Sequence, residues 1–414
     1  MSEQLASPEP ASQDTLPRGD HGFAQRLAPG DEGTANERCQ PDPLRQAQAR
    51  EYARIRRVWA LVQLAFTLVL LLVFWLTGLS RSLTTFLWDL GARYRGLSSP
   101  WAVTALYFLI LEIAGSALFL PLSWWTGFVL PHRYGLSTQT LGSWLVDQAK
   151  LLGIEVAFGV PVVVAIYWLL RTQLDTWWLW GASMMVVLSV ILGALAPVLL
   201  VPIFYRLTPL EDAELISRIE RLAERSGTRI AAVDTIDLSA RTTAANALVM
   251  GLGATKRIAL GDTLYETYSA DEIETILAHE LGHQVRHDLE LGIAVQTLTT
   301  FAAFYVAHLT LQWGVVRFGF SGVDDLSAVP LVALVGILLA LPALPLVNGF
   351  SRWRESLADR YALEITANPA AFATAMRKLM NQNLAEADPP RWVVWLLYDH
   401  PPIRARIEMA ERHN

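Results

Sequence analysis

The run Thr275-Ile-Leu-Ala-His279-Glu280-Leu-Gly-His283-Gln-Val-Arg-His-Asp288 holds the pattern His-Glu-x-x-His inside a stretch of helical character. On an α-helix, residues four apart lie one turn apart on the same face. His279 and His283 can therefore turn two imidazole nitrogens towards one metal ion. Glu280 falls on the adjoining face, within reach of a proton on a metal-bound water. A single turn then offers two ligands and a general base, the zincin arrangement.

The helix is predicted independently of the motif. Ser269-Ala-Asp-Glu272 has the form of a capping box, with Ser269 as the cap. Asp271, Glu272 and Glu274 put negative charge where the helix dipole favours it. Ile273, Ile276, Leu277 and Leu281 follow at helical spacing. Two histidines on a helix can also be ordinary hydrogen-bonded surface groups, so the reading turns on a third ligand.

With 414 residues, 53% hydrophobic and 17% charged, the chain is too apolar for an ordinary soluble protein and points to membrane spans. The net charge is −6, with no basic patch interleaved with aromatics, which speaks against nucleic acid as a partner. One cysteine, Cys39, excludes an intramolecular disulfide framework and a Cys-based zinc site. Lysine occurs at 150, 256 and 378, and arginine carries the remaining positive charge, a bias that fits a GC-rich bacterial genome. Residues 1–50 are rich in Pro, Gly, Gln and acidic residues without apolar periodicity. Such a tail cannot bury enough surface to offset its ordering entropy, so it is predicted to be disordered. It lacks the apolar core of a secretory signal.

Val58 to Leu79 is the first stretch with the roughly 20 apolar residues a bilayer crossing needs. Further spans are read at 101–125, 151–170, 178–204, 291–315 and 328–349. Pro197, Pro202, Pro342 and Pro345 are expected to kink or break the ends of the fourth and last. Arg45, Arg50, Arg54, Arg56 and Arg57 crowd the approach to the first span, which puts the amino terminus in the cytosol. Residues 126–150, 205–290 and the carboxyl terminus follow it there, although Arg81, Arg93 and Arg95 fall in the first outer loop. Glu112 and Glu155 sit inside spans, where a carboxyl needs either an interhelical partner or a wet cavity.

Glu211 to Arg225 reads as an exposed amphipathic helix, and Arg229–Ile236, Asn246–Met250 and Lys256–Leu260 as short strands. A small sheet with an open edge along the His279 helix would offer backbone groups to an extended peptide. For the third ligand, a metzincin would continue His-x-x-Gly-x-x-His. Arg286 and Leu289 occupy those places, which excludes that class. His287 is read as a surface residue. Glu355 and Asp359 lie four apart on a helix continuing from the last span. Glu355 would complete a His-His-Glu site with one position open to water, and Asp359 could accept the second N–H of a ligand histidine. A Glu-x-x-x-Asp pair can equally be a solvated helix face.

Several stretches together resemble the type I CAAX prenyl protease family, integral-membrane zinc metalloproteases of the gluzincin group. They are Tyr134-Gly-Leu-Ser-Thr-Gln-Thr140, Pro202 to Glu211, Asn246-Ala247, Lys256 to Leu264, the His279–His283 motif, Ser351-Arg-Trp-Arg-Glu355 to Ala362, and His400-Pro-Pro-Ile-Arg-Ala-Arg406. They run in family order from about residue 58 to the end. The resemblance implies Glu355 as third zinc ligand, Asp359 as its supporting partner, and Asn246 and Ala247 on the edge strand that holds substrate backbone. It implies that His400 and Arg406 stabilise a developing oxyanion or support the site, and that the spans enclose a water-filled chamber. Where family members often carry an additional amino-terminal span, this chain has a polar tail.

The expected protein is mainly α: a polytopic membrane bundle of about six spans with a zincin-like catalytic domain carrying a small β-sheet. Residues 1–50 are the tail, 51–204 a four-span region, 205–290 the His279 segment, 291–349 two further spans and 350–414 the segment of the third ligand. The expected activity is zinc-dependent hydrolysis of peptide bonds in a peptide or protein substrate that can be lipidated. The alternatives are a membrane quality-control protease with the same site and a non-catalytic zinc scaffold. The membrane is the bacterial cytoplasmic membrane, or the endoplasmic reticulum in a eukaryote, with the catalytic segments facing the cytosol.

Overall fold

The computed structural model describes residues 42–251 and 256–413. Cys39 and the first 41 residues of the expected tail lie outside them. The tail's last residues are helical. Asp42 accepts hydrogen bonds from the backbone N–H groups of Leu44 and Arg45, and Pro43 takes the first helical position, where its missing N–H costs nothing. Helix α1 (Pro43–Leu76) then runs 34 residues without interruption. About its first four turns precede the apolar span.

Helix α2 (Leu79–Arg93) follows, then α3 (Pro100–Trp124), which continues through a π-turn to Arg133, α4 (Leu141–Thr172) and α5 (Trp177–Leu199). Two helices come later, α8 (Asp288–Phe318) and α9 (Val329–Thr366). Six of these stretches are long and apolar enough to cross a membrane: α1, α3, α4, α5, α8 and α9. The prolines act differently at the two places. Pro197 and Pro202 stand on either side of the break where α5 ends and a single turn, Val201–Phe204, begins. Pro342 and Pro345 lie inside α9, which runs on through both and does not end there. At 38 residues α9 is about 57 Å long, about twice the apolar thickness of a bilayer. Its second half therefore stands clear of the membrane.

Between α5 and α8 lies a four-stranded sheet in the order β1-β2-β4-β3, with β1 (Leu207–Pro209), β2 (Ala232–Ile236), β3 (Ala247–Met250) and β4 (Arg257–Gly261). Strands β2 and β4 are parallel; the two outer pairings are antiparallel. Strand β1 was not among the strands read from sequence: it is three residues long and contains Pro209, which an edge position tolerates. The opposite edge, β3, packs beside α7 (Ala270–Val285), the helix of the His279 motif. Helix α6 (Ala213–Arg225) has the amphipathic pattern expected, burying Leu215, Ile219 and Leu222.

The sheet, α6, α7, the outer half of α9 and the last helices share one apolar core, so residues 205–290 and 350–414 fold as one body. Helix α10 (Pro369–Gln382) contributes Phe372 and Met376; after the short α11 (Arg391–Leu397), α12 (Ile403–Glu411) contributes Ile407, and α7 contributes Leu277 and Leu281. Full burial of each leucine is worth about 1.5–3 kcal/mol. A second core ties the membrane helices through Tyr107, Tyr167, Trp177 and Leu311. Glu112 and Glu155 line one cavity of about 370 Å³ between α3, α4 and α5.

Helix α7 is set by its ends and by one glycine. Ser269 and Glu272 form the reciprocal capping box, and Lys378 of α10 reaches Glu272 at 2.7 Å. At Gly282 a Cβ would meet Tyr361 Cδ1 at 3.1 Å and Ala358 Cα at 3.2 Å, so α7 and α9 touch almost backbone to backbone. Gly282→Val should push them apart, costing about 1–3 kcal/mol and weakening metal binding together with thermal stability. An unchanged melting midpoint with full metal content would show that the contact has slack.

Candidate metal centre

The contact at Gly282 sets the histidines of α7 against the carboxylates of α9. His279 Nε2 and His283 Nε2 are 3.2 Å apart; Glu355 Oε2 is 3.2 Å from the first and Glu355 Oε1 3.4 Å from the second. Three donors of one tetrahedral ion with bonds of about 2.0–2.1 Å stand about 3.3–3.4 Å apart, so the separations suit a single cation. His279, His283 and Glu355 are the group among the described residues that brings such donors together.

The other nitrogen of each ring is already engaged. His279 Nδ1 lies 2.8 Å from Asp359 Oδ1, and His283 Nδ1 lies 2.7 Å from Asp288 Oδ2. A carboxylate at Nδ1 holds the proton there and leaves the Nε2 lone pair outward, the tautomer a metal ligand requires. Two lone pairs and a carboxylate then converge, and the buried Glu355 Oε2 has no hydrogen-bond partner. The donor set fits a divalent cation with imidazole and carboxylate ligands. Burial pulls the pKa of His279 down, but with no cation bound the carboxylates of Asp359 and Glu355 on either side of the ring outweigh it and carry it to about 9, so a cation at Nε2 would displace a proton there. Glu280 follows His279 on α7 and is half-buried. Burial pushes its carboxyl above the ordinary range against the pull of His279 and His283.

Asp359 is fully buried and shared. Arg406 of α12 donates through Nε at 2.9 Å and Nη2 at 2.6 Å to its two oxygens, the bidentate form of a charge-assisted pair. Arg406 Nη2 also lies 3.4 Å from His279 Nδ1. Its donors face the back of His279, away from the side where Nε2 meets Glu355. His400 lies on that nearer side, half-exposed, with Nε2 3.3 Å from Glu355 Oε2 and Nδ1 2.9 Å from Asp399. Asn246 and Ala247 lie at the start of edge strand β3, where the Asn246 carbonyl accepts from Gly261 N–H at 2.9 Å. His287, exposed and in the left-handed region at φ 55°, is apart from the cluster and meets Glu290 at 3.4 Å.

Sequence reasoning assigned no role to Asp288, although it closes the motif stretch. The left-handed turn at His287 folds it back onto His283, and Arg354 of α9 holds its second oxygen. The available signal was an acidic residue five positions after the second histidine, at the first turn of the next helix.

Residues 209–414 match Peptidase family M48, and residues 39–206 match the family "CAAX prenyl protease N-terminal, five membrane helices". An uncharacterized metalloprotease of Bacillus subtilis, YhfN, is 30% identical over 374 residues, covering 89% of this chain and 86% of the relative. The chain belongs to the M48 CAAX prenyl protease family. Saccharomyces cerevisiae CAAX prenyl protease 1 is 30% identical over 72% of this chain and 70% of its own. The crystal structure of S. mikatae Ste24p superposes with a TM-score of 0.81 at 25% identity, covering 89% of this chain and 90% of that one. As a family member, the protein is an integral-membrane metalloprotease, and the scaffold alternative falls away. Asp288→Asn should weaken metal binding about 10–100-fold with the fold intact. Competition with a fluorescent chelator measures it, and wild-type affinity would remove Asp288 from the site.

Proposed function

We propose that the protein is a zinc endopeptidase, held by His279, His283 and Glu355 to one ion. The observation that carries the reading is the triangle of these three donors with Glu280 beside it. A zinc ion bound there supplies Lewis acidity, bringing a water's pKa towards about 7 and polarising a peptide carbonyl. Glu280 accepts the attacking water's proton and returns it to the leaving amine; its upward shift brings it closer to the pKa of that water. Asp359 and Asp288 keep the ligand imidazoles in register. Arg406 neutralises Asp359, and His400, on the open side, is placed to donate to developing negative charge.

An extended substrate would add to the free edge of β3 at Asn246 and Ala247, gaining backbone hydrogen bonds beside the motif helix. The CAAX prenyl proteases among its relatives suggest processing of carboxyl-terminal segments, prenylated or not, at the cytosolic face of the membrane. Strand addition reads backbone and not side chains, which favours as a second reading a quality-control protease with the same site. The peptides cut by purified enzyme separate the two: cuts clustered near carboxyl termini support processing, scattered internal cuts support quality control.

Glu280→Gln should retain metal and peptide binding while cleavage falls by about 10²–10⁴. Glu355→Ala should lose metal and cleavage together. Cleavage by the Gln variant at the wild-type rate would show that Glu280 is not the base. The arginines before Val58 support an amino terminus on the inside, so protease added to intact cells should leave residues 1–50 uncut; their removal from outside would reverse the topology.

A further inference from the structure

The first four turns of α1 lie outside the apolar span, yet Gln46 and Ala49 there are buried. What they are buried against is the linker after α10. Gln46 Oε1 accepts from the Ala387 N–H at 3.0 Å, and Gln46 Nε2 donates to the Ala385 carbonyl at 3.2 Å. The side-chain amide thus brackets residues 385–387 as a neighbouring strand would. Between these two bonds, Glu386 turns to Arg57 of α1, 2.8 Å away, with only 5% of the Glu386 side chain exposed. Ala49 packs on Leu384, whose φ of 51° bends the linker at this point.

The same linker grips the substrate edge of the sheet. Asn383 Oδ1 accepts from the Ala245 N–H at 2.8 Å, and Asn383 Nδ2 donates to the Ala245 carbonyl at 3.0 Å. Ala245 immediately precedes Asn246 and the edge strand. One short segment therefore has the first membrane helix on one side and the start of β3 on the other. On the far side, the Ala387 carbonyl accepts from the Arg404 N–H of α12 at 3.4 Å, while Arg406 is held to the metal side by its two bonds to Asp359.

We infer that the pre-membrane part of α1 is a strut that sets the substrate edge strand, with Gln46, Arg57 and Glu386 as positioning residues. Side-chain amides and a nearly buried ion pair suit the task, because each fixes direction as well as distance. An edge strand displaced by a fraction of its hydrogen-bond length makes longer and poorly aligned bonds to an added peptide. The metal cluster, whose residues come from α7, α8 and α9, stays in place. The effect should fall on substrate capture. The inference rests on the protease reading only for its kinetic readout.

The test uses full-length protein in lipid nanodiscs: wild type, Arg57→Glu, Glu386→Arg, their double exchange and Gln46→Met. Each is measured for metal content, for kcat and KM on one fluorogenic peptide, and for hydrogen exchange in segment 243–250. The single variants should keep stoichiometric metal, raise KM about tenfold or more with kcat within about threefold, and speed exchange in 243–250. The double exchange should restore both. Gln46→Met removes two hydrogen bonds without leaving an uncompensated charge, and decides the matter if a charge-reversed single variant does not fold. Wild-type KM and exchange in Gln46→Met would overturn the inference, as would a loss confined to kcat or a double exchange no better than the singles. If wild type cleaves no peptide, the protease reading fails, and exchange in 243–250 still decides the strut.

Discussion

Helices α7 and α9 approach so closely because Gly282 presents no side chain to Ala358 and Tyr361. Each carries half of the centre: two imidazoles on one, two carboxylates a turn apart on the other. At ordinary helix separations of about 8–10 Å the Nε2 atoms and Glu355 would be held apart by the side chains between them. With the helices nearly in backbone contact, the donors fall 3.2–3.4 Å from one another without any loop to bring them there. The capping box at Ser269, the apolar core beneath Leu277 and Leu281 and the length of α9 all serve to hold this one crossing.

Charge at the crossing is balanced outward in layers. Glu355 opposes the histidines, Asp359 and Asp288 stand behind their rings, and Arg406 and Arg354 stand behind the aspartates. Burying an ion pair is costly unless its hydrogen bonds are filled, and here the Asp359 oxygens take two from Arg406. The arrangement gives both ligand rings one tautomer from opposite directions. Such rigidity limits the reorganisation that a developing charge demands.

What could be read from the sequence follows from what is local. The motif helix, its capping box and the amphipathic α6 each depend on residues within a turn or two, and all appear as expected. The six spans are written in long apolar runs. Glu355 was ambiguous on spacing, and it took the combination of several family stretches to single it out. Asp288 escaped because its role depends on a left-handed turn at His287, a non-glycine residue with no sequence sign of that conformation. The start of α1 was read as tail because Gln46 finds its partners more than three hundred residues away. Composition reports whether a segment can bury itself, not whether a distant linker will bury it. Pro342 and Pro345 misled for a related reason: inside a bundle a helix can continue past prolines that would end it in water.

The order of the ligands along the chain has a consequence for biosynthesis. His279 and His283 are made before α8 and Glu355 after most of α9, so two membrane crossings separate the halves of the centre. A nascent chain that has produced the motif helix owns two imidazoles and a general base but no third ligand, and grips a metal weakly. Its Gln46 and Arg57 are also waiting for residues 385–387, which come later still. Hydrolytic competence thus arrives only with the final tenth of the polypeptide, after the sixth crossing has been threaded. During translation the protease is latent by topology, its centre open until the last helices arrive.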